Sequence, residues 1–328
     1  MLNYIEMFQA AIKKHRVFCK NTRCLSNILH IGYGIDDNYA RCMAASIASV
    51  CKNNKKHVIV FHILAAKLQQ RTIEQIEALS KCFSVEINLY EIDDSVFQEL
   101  PTQVHFPVSI YYRYILPLVL KSVDRLLYID ADIINLKPLT EILQMDLNAC
   151  TIAAVPDVAW MGDKRNKVLG LSNHQYFNSG VLLIDVSRWN DFDVLGKSMK
   201  ALQKNPKLFR YPDQDALNLI LTGKVHYMDR TYNCIDSAAS DPMKIVLLHF
   251  AAHPKPWNIA WPISKLCTDF TRDIYRQYEA MTPWQGSELQ MPSNYKEMKV
   301  YAKCLWRNGK YTDALLWQVK YIMKKLFH

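Results

Sequence analysis

The stretch Arg125-Leu126-Leu127-Tyr128-Ile129-Asp130-Ala131-Asp132 decides how this chain is read. A short, mostly apolar run of strand length passes without a turn into two carboxylates separated by one alanine. Charges at the end of a buried strand need a purpose, because burying an unpaired charge is costly. Both side chains can turn toward a cation just outside the sheet. A hard divalent ion such as Mg²⁺ or Mn²⁺ prefers these oxygen ligands and can bridge to a diphosphate. The spacing alone says little, since Asp-x-Asp recurs at 191/193 and 213/215. Asp191 and Asp193 follow Trp189-Asn190 in a polar turn and read as caps or solvated charges. Asp213-Gln214-Asp215 opens a helical stretch, where capping by one carboxylate leaves the other side chains free to face a site.

On either side of this strand, short β-type runs alternate with helical stretches, the pattern of an α/β domain. Strands are expected at 27–33, 57–64, 85–92, 125–129, 152–155, 180–185 and 245–250. Helices are expected at 38–51, 67–81, 213–222 and, despite Pro117, at 111–120. From about residue 264 helical periodicity replaces strands, with a Pro/Gly/Ser-rich loop at 283–294. The expected organisation is a basic helical segment at 1–25, a catalytic α/β domain at 26–264 and a helical module at 265–328.

Half of the 328 residues are apolar, enough for a large core. No apolar run approaches the ~18 residues that a membrane-spanning helix requires. Glu6 interrupts the N-terminal apolar stretch, and Lys13, Lys14 and Arg16 follow it, the reverse of a secretory signal, so a cytoplasmic protein is expected. Nine cysteines without a C-x-x-C pair argue against a disulfide framework and a zinc site. The net charge of +9 is concentrated at the ends: +4 in residues 1–25 and +6 in 296–328, against −1 between them. Basic ends suit an anionic partner. Near the C-terminus the charge interleaves with Trp306, Trp317, Tyr321, Ile322, Met323, Leu326 and Phe327, which fits a membrane interface. Nucleic acid is not the expected partner.

The acidic strand end is one of five ordered motifs. They are Gly34-Ile35-Asp36-Asp37-Asn38-Tyr39; Tyr128–Asp132; Tyr176-Phe177-Asn178-Ser179-Gly180 with the apolar run after it; Asp213–Asn218; and His249-Phe250 followed by Lys255-Pro256-Trp257. In this order they resemble the retaining glycosyltransferase family 8, and within it the bacterial lipopolysaccharide α-glucosyl- and α-galactosyltransferases. The resemblance covers roughly residues 27–260 and extends in character to the basic, aromatic tail. It implies a GT-A fold, a Rossmann-like, mostly parallel sheet flanked by helices, with a basic helical C-terminal module.

The resemblance also implies roles. Asp130, Asp132 and His249 match metal ligands for Mn²⁺ or Mg²⁺. Asp36, Asn38 and Tyr39 match positions that hold uridine, with Tyr39 against the base. Lys255 matches a diphosphate contact, and Ala131 belongs to the same donor-binding stretch. Arg113 matches an arginine reaching the donor sugar and phosphates. Asp157, Asn178, Asp213 and Gln214 match residues around the transferred hexose. An amide such as Gln214 is a poor nucleophile. The implied chemistry is therefore departure and attack on one face of the sugar, with the amide stabilising positive charge. The donor would be UDP-glucose or UDP-galactose and the acceptor a lipopolysaccharide core, at the cytoplasmic face of the inner membrane with peripheral contact. One position departs from the family pattern: Ala252 stands where the last motif normally carries Gly, which matters if φ must be positive.

Other readings use the same residues. A family relative acting on a protein or polysaccharide, as in glycogenin-like self-glucosylation, would not need the basic aromatic tail. A metal-dependent nucleotidyltransferase or phosphohydrolase would use the same carboxylates, but such enzymes usually rely on a Gly-rich phosphate loop, which is not found here. A non-catalytic membrane scaffold would need none of the five motifs. Among the tryptophans, Trp189 is expected in the core, and Trp160 is a candidate for an acceptor loop.

Overall fold

The computed structural model describes residues 4–20, 28–102, 107–171, 175–236 and 241–326. Ten strands are defined among them: β1 (Ile12–Phe18), β2 (Ile28–Ile35), β3 (Val58–Ala65), β4 (Glu86–Ile92), β5 (Arg125–Ile129), β6 (Ile133–Asn135), β7 (Ile152–Pro156), β8 (Phe177–Asp185), β9 (Val225–Tyr227) and β10 (Leu247–His249). Eight of them form one sheet in the order β1-β4-β3-β2-β5-β8-β7-β9, and β10 pairs with β6 in a small antiparallel ribbon. The block β4-β3-β2-β5 is parallel, whereas β1 and β8 run antiparallel to their neighbours. This is the mixed, mostly parallel sheet of the GT-A expectation.

The strand order reverses between β2 and β5. Chain connections lead away from that point in both directions, which leaves a crevice beyond the carboxyl ends of these two strands. Asp36 follows β2 and Asp130 follows β5, so the sheet topology brings the first two motifs together.

Alternation along the strands feeds two cores. Ile31, Tyr33 and Ile35 of β2 face one cluster with the helix Ala40–Asn53, while Leu126 and Tyr128 of β5 face the other. On that second face a helical segment, Val108–Tyr114, lies tight against the sheet. Gly34 makes the approach possible: a Cβ there would meet Tyr112 Cβ at 2.8 Å and the Ser109 carbonyl at 3.1 Å. Pro117 lies in the first turn of the helix Leu116–Val119, where its missing N–H costs nothing.

Both ends of the chain differ in part from the expectation. The N-terminal segment is not helical throughout: the helix ends at Ala11, and Ile12–Phe18 pairs with β4 as an edge strand. Lys13 and Lys14 are exposed on this strand, at a register shift after Ile12, and charges on an edge strand protect it from further pairing. The boundary expected at 25/26 and the start of the first strand at 27 lie outside the described residues. At the other end, the helix Asp269–Glu279, expected within the C-terminal module, packs into the main core. Its Tyr275 and Tyr278 are buried in the main core, and Arg41 of the helix Ala40–Asn53 pairs with its Glu279. Beyond it, Tyr295–Arg307 and Tyr311–Leu326 form a helical hairpin packed chiefly on itself, with Trp317 edge-on to Tyr301 at 5.1 Å.

Candidate active site

The acidic pair leaves β5 together. Asp130 takes a hydrogen bond from Arg113 (2.9 Å) and one from the Tyr128 hydroxyl (3.2 Å). Asp132 is buried and lies 3.3 Å from His249 Nε2, on its other oxygen accepting from Lys255 Nζ at 2.7 Å. Burial alone would push the Asp132 carboxyl up, but the Lys255 ammonium and His249 outweigh it and hold it well below the usual carboxylate range. Lys255 also donates to the Phe250 carbonyl. His249 arrives on β10, which pairs with β6, the strand directly after Asp132. A three-residue ribbon thus seats the histidine opposite the carboxylates.

These three residues fit a divalent cation. One ligand atom from each of Asp130, Asp132 and His249 lies within 4.8 Å of the others. His249 Nδ1 donates to Asn233 Oδ1 at 2.8 Å, which directs the Nε2 lone pair toward the carboxylates. Space is kept open by Gly180, where a Cβ would stand 2.5 Å from His249 Cε1 and 2.9 Å from Asp130 Oδ2. Oxygen-rich donors with one imidazole suit Mn²⁺ or Mg²⁺.

A hydrogen-bond chain leads from the histidine to Gln214 and on to Arg113. Asn233 Nδ2 donates to Asn178 Oδ1 (2.8 Å), and Asn178 Nδ2 donates to Asp157 (3.3 Å). Gln214 Nε2 donates to the same Asp157 oxygen at 2.8 Å, and Gln214 Oε1 accepts from the Ser179 N–H at 3.0 Å. Ser179 Oγ donates to Asp213 (3.0 Å), and Asp213 pairs with Arg113 Nε at 3.1 Å. Arg113 returns to Asp130, whose other carboxylate oxygen stands 4.0 Å from His249 Nε2. Burial raises the Asp213 carboxyl against the pull of Arg113. Arg113 is itself buried, yet Asp130 and Asp213 keep it firmly cationic.

At the end of β2, Asp36 accepts from the Tyr39 N–H (3.1 Å), shaping the turn that follows. Burial raises the Asp36 carboxyl, opposed by its backbone hydrogen bonds. The Tyr39 ring is half-buried and stands edge-on to Trp257 at 6.5 Å, and Asn38 is exposed. The Ala131 methyl is buried in the core, so any donor contact there falls to its backbone. Ala252 is not among the residues with positive φ, so its methyl carries no backbone strain.

The other Asp-x-Asp pairs separate as well. Asp193 caps the helix Val194–Lys204, and Asp191 accepts from Ser187. Asp215 is fully buried and holds Arg165 in a two-point ion pair at 2.8 and 2.9 Å, with Tyr176 and the Tyr211 N–H on the same carboxylate. Trp189 is buried as expected, while Trp160 is 68% exposed three residues after Asp157. Sequence reading missed Asn233, which sits outside every motif, and gave Ser179 no role although it lies inside one.

Residues 30–260 match the family model for Glycosyl transferase family 8, and residues 272–325 match Glycosyl transferase family 8 C-terminal. The chain belongs to glycosyl transferase family 8. Among its relatives, a lipopolysaccharide 1,2-glucosyltransferase of Escherichia coli is 32% identical over 90% of this chain and 91% of its own length. A lipopolysaccharide 1,3-galactosyltransferase of Salmonella typhimurium is 27% identical over 90% and 91%. The fold is that of the galactosyltransferase LgtC solved with donor and acceptor sugar analogs, with a TM-score of 0.68 and 22% identity over 78% of this chain and 96% of that one. As a family 8 glycosyltransferase, the chain places all three expected metal ligands and the residues Arg113, Asp157, Asn178, Asp213 and Gln214 in one connected network.

Proposed function

We propose that this family 8 enzyme transfers glucose or galactose from the UDP-sugar to a lipopolysaccharide core, with retention of the α configuration. The observation that carries the reading is the convergence of Asp130, Asp132 and His249 at the β2/β5 crevice, tied by hydrogen bonds to Gln214. When bound there, Mn²⁺ or Mg²⁺ would neutralise charge on the departing diphosphate. Asp36, Asn38 and Tyr39 hold the uridine, and Lys255 and Arg113 supply fixed cations to the phosphates. Gln214 is a poor nucleophile, and its amide is held between Ser179 and Asp157, which fixes its dipole to stabilise developing positive charge on the sugar. The acceptor hydroxyl attacks from the face the diphosphate leaves, so configuration is kept.

The acceptor side of the reading is supported by the two lipopolysaccharide relatives and by the C-terminal hairpin. Leu315, Val319, Ile322 and Leu326 form one exposed stripe on the last helix, flanked by Lys320, Lys324 and Lys325. Such a face suits the surface of an anionic bilayer. No helix among the described residues is long and apolar enough to cross a membrane.

The test is UDP release from UDP-glucose and UDP-galactose, with Mn²⁺ or excess EDTA, and with or without truncated lipopolysaccharide. Release that needs one donor, metal and acceptor together is expected; release that ignores EDTA or acceptor overturns the reading. Deleting 295–328 is expected to reduce sedimentation with phosphatidylglycerol vesicles more than turnover on a soluble acceptor.

A further inference from the structure

Beside the donor site, and separated from it by Trp257, the structure contains a second cavity of about 180 Å³. That is space for about six waters' worth of ligand, taking ~30 Å³ for each. Its wall is one face of the helix Asp269–Glu279: Arg272, Tyr275, Arg276 and Glu279 follow at helical spacing and line it together. Trp257 and Trp261 line it from the loop after His249. Three arginines and one glutamate give the lining a formal excess of two positive charges.

The arginines are not equivalent. Arg41 is spent on structure: it holds Glu279 and donates to the carbonyls of Ser287 and Glu288. The Arg272 guanidinium lies over the Trp261 ring at 4.3 Å, and its acid partners Asp269 and Asp273 are exposed, so those pairs hold it weakly. Arg276 has no ion pair or side-chain hydrogen bond among the described residues. Two guanidinium groups one turn apart, in a cavity also lined by Trp257 and Trp261, match a phosphate ester carried on a sugar: the forks bind phosphate, and the sugar fills the space beside the aromatic residues.

We propose that this cavity is a subsite for a phosphorylated sugar of the acceptor, held by Arg272 and Arg276, with the Trp261 ring fixing the Arg272 fork in place. The proposal rests on the transferase reading, and it places the acceptor's charge next to the donor: Trp257, which lines this cavity, also meets Tyr39 of the uridine motif. Specificity for an anionic acceptor then comes from the 269–279 helix and not from the metal site.

The experiment uses the full chain and its R276A and R272A variants. Core oligosaccharide freed of lipid A is offered with its phosphates intact or removed by phosphatase, and direct binding is measured by calorimetry in the presence of UDP. Roughly tenfold weaker binding of the phosphorylated oligosaccharide is expected for R276A, as loss of a charge-assisted contact gives. Transfer kinetics should show the same change in acceptor KM with kcat held, and the dephosphorylated acceptor should not distinguish variant from wild type. Equal weakening of both acceptors, or of neither, overturns the proposal. Phosphatidylglycerol vesicles are the third arm: if R276A loses vesicle binding and keeps oligosaccharide binding, the cavity serves a lipid headgroup and the subsite is wrong. Absence of any transfer by wild type would sink the transferase reading, while the calorimetric arm would still decide the subsite.

Discussion

Asp130-Ala131-Asp132 and Asp213-Gln214-Asp215 share one pattern, and the fold uses them in opposite ways. At the end of β5 the backbone leaves the sheet, and both carboxylates turn to the same side, toward His249. At the start of the helix Pro212–Ile220, residues two apart lie about 200° apart around the axis and cannot share a face. Asp213 therefore meets Arg113 at the site, while Asp215 turns into the protein to hold Arg165. Acid spacing specifies a shared ligand set only where the backbone is not helical.

The comparison can be broken in several ways. Asp130→Ala or Asp132→Ala should lower UDP release by roughly 10³-fold or more, the several kcal/mol that metal-assisted charge stabilisation is worth. Circular dichroism should show the fold retained, at reduced stability for Asp132→Ala because it strands the buried Lys255, and near-wild-type turnover with Mn²⁺ present would remove the metal assignment. Asp215→Ala should instead cost about 3–5 kcal/mol of stability in urea unfolding, because it strands a buried guanidinium. A loss below ~1 kcal/mol would show that Asp215 is not the structural member of its pair. Gly180→Ala sharpens the first half: its methyl would press on His249 and Asp130, so apparent Mn²⁺ affinity should fall about 10–100-fold, the size seen when ligand orientation is lost. An unchanged Mn²⁺ titration would mean the ligands have room to shift. The third Asp-x-Asp gives the smallest effect. Asp193→Ala should cost about 1 kcal/mol as a lost helix cap, with turnover per folded molecule unaltered.

Much of the site was legible because its residues lie at element ends. Asp36, Asp130, Asn178 and His249 mark places where a patterned apolar run meets polar residues, and such junctions are visible along a chain. Asn233 had no such signal. It matters because the short segment Arg230–Asn233 is folded against β10, and only that packing brings its amide to His249 and Asn178. Arg165 was invisible for the same reason: it lies on the helix Ala159–Leu169, and its partner Asp215 is distant in sequence.

The ends of the chain teach a related lesson. Charge and aromatic content identified both as unusual, but could not say what they pack on. Ile12–Phe18 became a strand because β4 offered an open edge, and a paired edge outweighs weak local preference. The helix Asp269–Glu279 joined the core because Tyr275 and Tyr278 fit beside the helix Ala40–Asn53.

By itself, then, the sequence determined the α/β class, the family with its mostly parallel sheet, and the three residues that converge as the candidate metal site. These follow from short-range periodicity, from residues at strand ends and from an ordered set of motifs. Only the tertiary structure decided which acid of Asp213/Asp215 faces the site, which amide orients His249, and where the catalytic body ends. Those outcomes depend on contacts between segments far apart in the chain, and local pattern does not encode the partner of a buried charge.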